Sequence, residues 1–392
     1  MSKPSMLMIA PAPAVLDGAD IRLDGKFASG MTTQAGHFPG PFDCILRAFD
    51  GSLPFTTEIY DPKVHPFGLT VLAPDAPVTA EHLAGYDVLL CSADDDRNLG
   101  LTGLLQGQKT KLVATLEYTL ETRRQISALE QHGNPLRRII RDVRLRLREQ
   151  KRNAFLHAMD ALQANGYPAY EVCKSINDDT LLFLDNRMTR DMCATAAEMA
   201  ARRDRLLRGD PLALVFSGRL ERMKGAHDLL PVAKLLDARG VAFELDIYGE
   251  GSLVPAIESE IAAAGLGKRV RLHKSVDFET VLVPVLRDRA DVFLCCHRQS
   301  DPSCTYIESM ACGLAVAGFA NDMWRDLQEQ SDGGWTCPMG DHVAMADLLA
   351  TLDQDRAGVA DACQRALDFA ADHDFDTLSR ERMAHLSALA MQ

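Results

Sequence analysis

The sequence predicts an α/β protein made of two Rossmann-like, doubly wound domains, and three observations carry that expectation. From residue 212 onward, short apolar runs at 212–217, 243–248, 270–273, 292–296 and 314–319 alternate with amphipathic stretches at 226–239, 253–264 and 278–289. Runs of this length suit strands buried on both faces, and their alternation with helical stretches implies right-handed βαβ units in an open parallel sheet. Similar runs at 6–10, 69–73, 87–93 and 111–117 place a second sheet in the N-terminal half. The 392 residues suffice for two such domains, each with its own core.

Composition narrows the class. With 47% hydrophobic and 25% charged residues the chain reads as an ordinary globular protein. A net charge of −13 argues against a general nucleic-acid binder, which would be basic. Ten cysteines in a chain of this length are too sparse for a disulfide scaffold and fall largely in apolar runs, so reduced, buried thiols are expected, and no Cys/His spacing suggests zinc. The apolar start, MSKPSMLMIAPAPAV, is broken by prolines and lacks a signal-peptide pattern, and no apolar run reaches bilayer-spanning length. A cytoplasmic location is expected.

The most informative stretch is 291–319, DVFLCCHRQSDPSCTYIESMACGLAVAGF: a strand, a polar loop, a helix carrying Glu308, a closing Gly313 and a second strand. Ser300, Asp301, Pro302, Ser303 and Thr305 are residue types that open helices, with Pro302 suited to a first helical position. At the carboxyl end of a parallel strand this arrangement reads as an anion site beside a carboxylate. The stretch 212–225, LALVFSGRLERMKG, adds Gly218 directly after a strand, then Arg219 and Lys224. A guanidinium and an ammonium at one loop mouth suit a diphosphate.

GRLERMKG, then IYGEG at 247–251, then YIESMACGLAVAG resemble, in this order, the C-terminal domain of family 4 glycosyltransferases. The resemblance is specific over 212–319 and architectural before that. It implies the GT-B fold, two Rossmann-like domains facing a central cleft, and a retaining enzyme that moves a hexosyl group from a nucleotide sugar. UDP is the expected nucleotide because it is the commonest among the resembling enzymes. The resemblance implies donor binding by Gly218, Arg219, Lys224, Ser303, Cys304, Thr305 and Glu308, with Glu308 on the ribose hydroxyls. Arg219, Lys224 and Asp301 are the expected catalytic residues, the two cations stabilising the leaving diphosphate. Replacing Arg219 or Lys224 is expected to lower turnover far more than stability. No cofactor and no metal are expected, since Asp94, Asp95 and Asp96 read as a solvated run.

The sequence departs from the family pattern at two places. The place eight residues before Glu308, usually a second glutamate, is Ser300, so either Asp301 or Ser300 takes its part. Glu117 stands where the resembling enzymes often have a histidine. A non-catalytic nucleotide-sugar binding protein is therefore an alternative.

The expected domains are 1–207 for the acceptor and 208–374 for the donor, with Gly209 and Pro211 at the boundary and a helix at 375–392 crossing back to the first domain. The segment 24–40 reads as a polar, glycine-bearing loop, either a cradle for a ligand or a plain surface loop. At 135–152, PLRRIIRDVRLRLREQKR, the apolar Leu136, Ile139, Ile140, Val143 and Leu147 form a helical stripe with Arg137, Arg138, Arg141, Arg144, Arg148 and Arg152 mainly outside it. Two readings are open: a helix that buries its stripe and solvates its arginines, or a basic amphipathic helix on an anionic membrane. The second implies a peripheral enzyme of glycolipid biosynthesis with a lipid or lipid-linked acceptor; a soluble or polysaccharide acceptor is the alternative.

Overall fold

A computed structural model describes residues 3–51, 53, 57–129 and 135–392. The chain forms two compact units: 1–120, 134–183 and 376–392 make the first, and 121–133 with 184–375 the second.

The first unit holds β1 (Met6–Asp17), β2 (Asp20–Asp24), β3 (Phe42–Ala48), β4 (Thr57–Ile59), β5 (Gly68–Leu72), β6 (Val88–Ser92), β7 (Lys111–Leu116), β8 (Ala161–Asn165) and β9 (Thr180–Phe183). Its parallel part runs β5-β3-β1-β6-β7-β8-β9, while β2 and β4 extend the far end of β1 as antiparallel strands. Strand β1 is longer than expected because its second half pairs with β2 around a turn at Gly18. The strand is clad by separate apolar clusters, one holding Leu7, Leu89 and Leu112, the other Met6, Val88 and Leu90, as alternating residues of a two-faced sheet should be. Met383, Leu386 and Leu389 of the C-terminal helix Phe375–Ala390 belong to the second cluster.

Three expectations for this unit are corrected. Residues 24–40 are not a loop: Gly25–His37 is a helix, capped by the Asp24 carboxylate accepting from Phe27 N–H at 3.1 Å and anchored by buried Ala28 and Met31. Arg152 is not solvated. Its side chain is 1% exposed and donates to Asp94 Oδ1 at 3.0 Å, the Tyr118 carbonyl at 2.6 Å and Glu149 Oε1 at 2.6 Å. Asp94, in turn, is no solvated residue of a charged run, since it also accepts from Glu117 N–H at 2.8 Å and so ties the end of β7 to the loop after β6.

At its described positions the helix Pro135–His157 does not bury its apolar stripe. Ile139, Ile140, Val143 and Leu147 are 62%, 53%, 49% and 55% exposed, whereas Phe155 and Leu156 near its C-terminal end lie in the core. The side chains of Leu136, Arg137 and Arg138 lie outside the described residues. No helix among the described residues is long and apolar enough to cross a membrane.

The second unit holds β10 (Leu212–Ser217), β11 (Phe243–Tyr248), β12 (Val270–His273), β13 (Val292–Cys295), β14 (Ala315–Phe319) and β15 (Gly334–Cys337), all parallel, in the order β12-β11-β10-β13-β14-β15. The chain winds outward from β10 in one direction and then from β13 in the other. The crevice beyond the carboxyl ends of β10 and β13 is thus the topological switch point, where ligands of doubly wound sheets bind.

The longer segment of this unit starts at Leu184, before the expected 208, and Arg202 shows why the helix Ala196–Leu207 belongs to it. Arg202 is 1% exposed and donates to the carbonyls of Leu286, Arg287, Ala290, Cys312 and Gly313 at 2.7–3.2 Å. These carbonyls close the helices Val283–Arg289 and Thr305–Ala311, whose C-terminal ends favour a cation. A buried guanidinium with every donor placed, flanked by buried Met199 and Leu206, packs one face of the helix Ala196–Leu207 against this unit, so the helix is not a linker.

Candidate functional site

Two loops meet at the switch point. The loop after β10 is held from one side by the GEG turn: Gly218 N–H donates to the Tyr248 carbonyl at 3.0 Å and Leu220 N–H to that of Glu250 at 2.8 Å. At its far end Gly225 has φ of 66°, and a Cβ there would strike the Cys296 carbonyl, so the backbone passes against the end of β13 at a distance only glycine allows. The loop after β13 is tied back in turn, with Arg298 N–H on the Met223 carbonyl at 3.1 Å and its guanidinium forked on buried Asp228 at 2.6 and 2.7 Å. Burial alone would raise Asp228, but the bonds from Arg298 and His342 hold its carboxyl below the ordinary value.

This packing brings two expected residues together. Lys224 Nζ lies 2.5 Å from Asp301 Oδ2, with side chains 9% and 7% exposed, although they are 77 residues apart in the chain. The ammonium has three donors, so two remain beyond Asp301. Asp301 Oδ1 is buried with no partner among the described residues. His297 lies beside this pair. Burial, and then Lys224, push its imidazole down to about 3, so the ring is neutral near the two cations of the loop. Arg219 is exposed and carries no side-chain hydrogen bond among the described residues.

The helix carrying Glu308 starts at Thr305, not at Pro302. Ser303 N–H is used by the Asp301 carbonyl at 2.8 Å, so it turns the loop, and the N–H groups of Cys304 and Thr305 open the helix. Ser300 is 2% exposed and shares its hydroxyl with Asp322 at 3.1 Å, which gives it a local structural partner. Glu308 is buried and already engaged: Arg187 Nε and Nη2 donate to its two oxygens at 2.7 and 3.0 Å. Sequence reasoning passed over Arg187, which lies 121 residues away in the segment after β9. Among the described residues no group of three or more His, Cys, Asp or Glu side chains is placed to hold a metal ion.

Known proteins match this chain at the level of family and fold. Residues 198–367, which contain both loops, match the family Glycosyl transferases group 1. The amylovoran biosynthesis glycosyltransferase AmsK of Erwinia amylovora is 30% identical over 161 residues, and the putative colanic acid biosynthesis glycosyltransferase WcaL of Salmonella typhimurium is 28% identical over 158. The matched part spans 38% of this chain and 38% of AmsK, and 37% of this chain and 37% of WcaL. The crystal structure of Anabaena Alr3699/HepE in complex with UDP superposes with a TM-score of 0.67 at 13% identity, over 97% of this chain and 98% of that one. Residues 198–367 thus match the Glycosyl transferases group 1 family model, within a fold of the GT-B type.

Proposed function

We propose that the protein is a retaining glycosyltransferase that moves a hexosyl group from a UDP-sugar to a lipid-linked saccharide in polysaccharide assembly. The observation that carries the reading is the Lys224–Asp301 pair beside exposed Arg219 at the switch point, with Glu308 on the adjoining helix, all inside the family match. A diphosphate at this loop mouth meets the Arg219 guanidinium and the remaining donors of Lys224, with the Cys304 and Thr305 N–H groups as candidates to assist. Such fixed charges stabilise the negative charge that builds on the leaving nucleotide as the sugar becomes oxocarbenium-like. Asp301 holds the ammonium in place, and Glu308 is the candidate for the ribose hydroxyls. UDP follows the ligand named for HepE, and the saccharide acceptor follows the names of AmsK and WcaL.

The membrane part rests on the helix Pro135–His157. Its apolar residues 139, 140, 143 and 147 face solvent between arginines 141, 144, 146 and 148, as an interfacial helix at an anionic surface requires. Each such arginine contributes roughly 1 kcal/mol near an anionic surface. A peripheral enzyme at the cytoplasmic face follows from this reading. The test is transfer of label from UDP-hexoses to lipid-linked saccharides in anionic vesicles, at low and high salt. Incorporation that falls with salt and with Arg141→Gln, Arg144→Gln and Arg148→Gln together is expected. Saturable UDP binding without transfer would make the protein a binding module, and full-rate transfer to a soluble saccharide without vesicles would remove the lipid part.

A further inference from the structure

Arg187 lies outside the family match and reaches the carboxylate on which the donor reading depends. Its place is set by a tightly fastened segment. Asn186 donates from its amide to the carbonyls of Leu184 and His373 at 3.0 and 2.9 Å and accepts from Met188 N–H at 2.9 Å, while Phe375 N–H donates to the Met188 carbonyl at 2.8 Å. Next door, Asp185 accepts from Cys304 Sγ at 3.3 Å. From this segment the guanidinium lies over the Phe278 ring, 3.6 Å from its centre, and presents its Nε and Nη2 edge to Glu308. Burial disfavours the charge on Arg187, yet the Glu308 carboxylate holds it above the ordinary value.

The stereochemistry of this pair has a consequence for ligands. Two parallel bonds, one to each oxygen, take the open edge of the carboxylate. A vicinal diol gripped in a fork, one hydroxyl per oxygen, needs that same edge. The remaining lone pairs diverge to opposite sides, too far apart for one diol to span. Resting on the reading that Glu308 receives the donor ribose, we propose that Arg187 is an affinity-setting residue of the donor site: its guanidinium competes with the nucleoside's vicinal hydroxyls for Glu308, so that donor binds by exchange.

A ligand-and-variant cycle tests this, with UDP and 2′,3′-dideoxy-UDP titrated calorimetrically into the wild-type chain and Arg187→Gln. In wild type, removing the hydroxyls should weaken binding only a few-fold, because the gain at Glu308 is offset by the broken pair. In Arg187→Gln the same removal should weaken binding by roughly tenfold more, the worth of a hydrogen bond to a charged group. A hydroxyl effect in Arg187→Gln that is equal to or smaller than in wild type overturns the competition, with the donor reading intact. Absence of UDP binding to both proteins overturns the donor reading and the competition with it. If Arg187→Gln does not fold, Arg187→Lys is titrated instead. It keeps a charge beside Glu308 but not the fork, and the same enlarged hydroxyl effect is expected.

Discussion

Removal of the Lys224 ammonium should damage the fold as well as the reaction, whereas the sequence led to the expectation that turnover would suffer far more than stability. The ammonium and Asp301 Oδ2 are 2.5 Å apart and both side chains are over nine-tenths buried. Lys224→Met leaves Asp301 as an uncompensated buried charge whose other oxygen already has no partner among the described residues. Breaking one side of a buried pair costs about 3–5 kcal/mol. For a unit of this size, roughly 2–4 °C of melting temperature goes with each kcal/mol, so the second unit's transition should fall by about 6–20 °C. The double variant Lys224→Met with Asp301→Asn removes both charges together and should recover most of that loss while remaining inactive. Thermal unfolding followed by calorimetry, beside UDP release from UDP-hexoses, separates the two effects. A Lys224→Met protein that melts with wild type, or a double variant no more stable than the single one, would refute the buried-pair reasoning.

Arg219→Ala, at an exposed side chain without hydrogen bonds among the described residues, should leave melting within about 0.5 kcal/mol of wild type but cut turnover by roughly 10²–10³, read by UDP release. His297 has its folded-state value pushed down to about 3, so its contribution to stability is present in full above about pH 6.5 and is lost as pH falls from there toward 3. Urea unfolding over that range should show up to about 1.4 kcal/mol of loss per pH unit that His297→Asn lacks; parallel curves would assign the acid sensitivity elsewhere. Arg152→Leu leaves Asp94 and Glu149 without their shared cation and should destabilise the first unit by about 3–5 kcal/mol in urea unfolding, with the second unit's transition unmoved.

The sequence by itself determined the sheets and the two loops of the site. The apolar runs at 212–217 and 292–295 are strands because unbroken apolar residues fit only a doubly covered sheet, and Gly218 marks the turn that follows the first of them. Such signals are local, a matter of spacing and of residue type within a few positions. The partners of the buried charges carry no local signal. Nothing near Arg187, Arg152 or Arg202 indicates that each meets a carboxylate or carbonyls tens of residues away, and of the three only Arg152 lies in a stretch whose arginines read as facing solvent or a membrane surface. Arg202 draws the helix Ala196–Leu207 into the second unit, and in the helix Pro135–His157 the apolar residues 139, 140, 143 and 147 are exposed while Phe155 and Leu156 are in the core. Tertiary structure decides these points because a charge is buried only where distant chain segments deliver its counter-charge or hydrogen bonds, and periodicity does not encode that delivery.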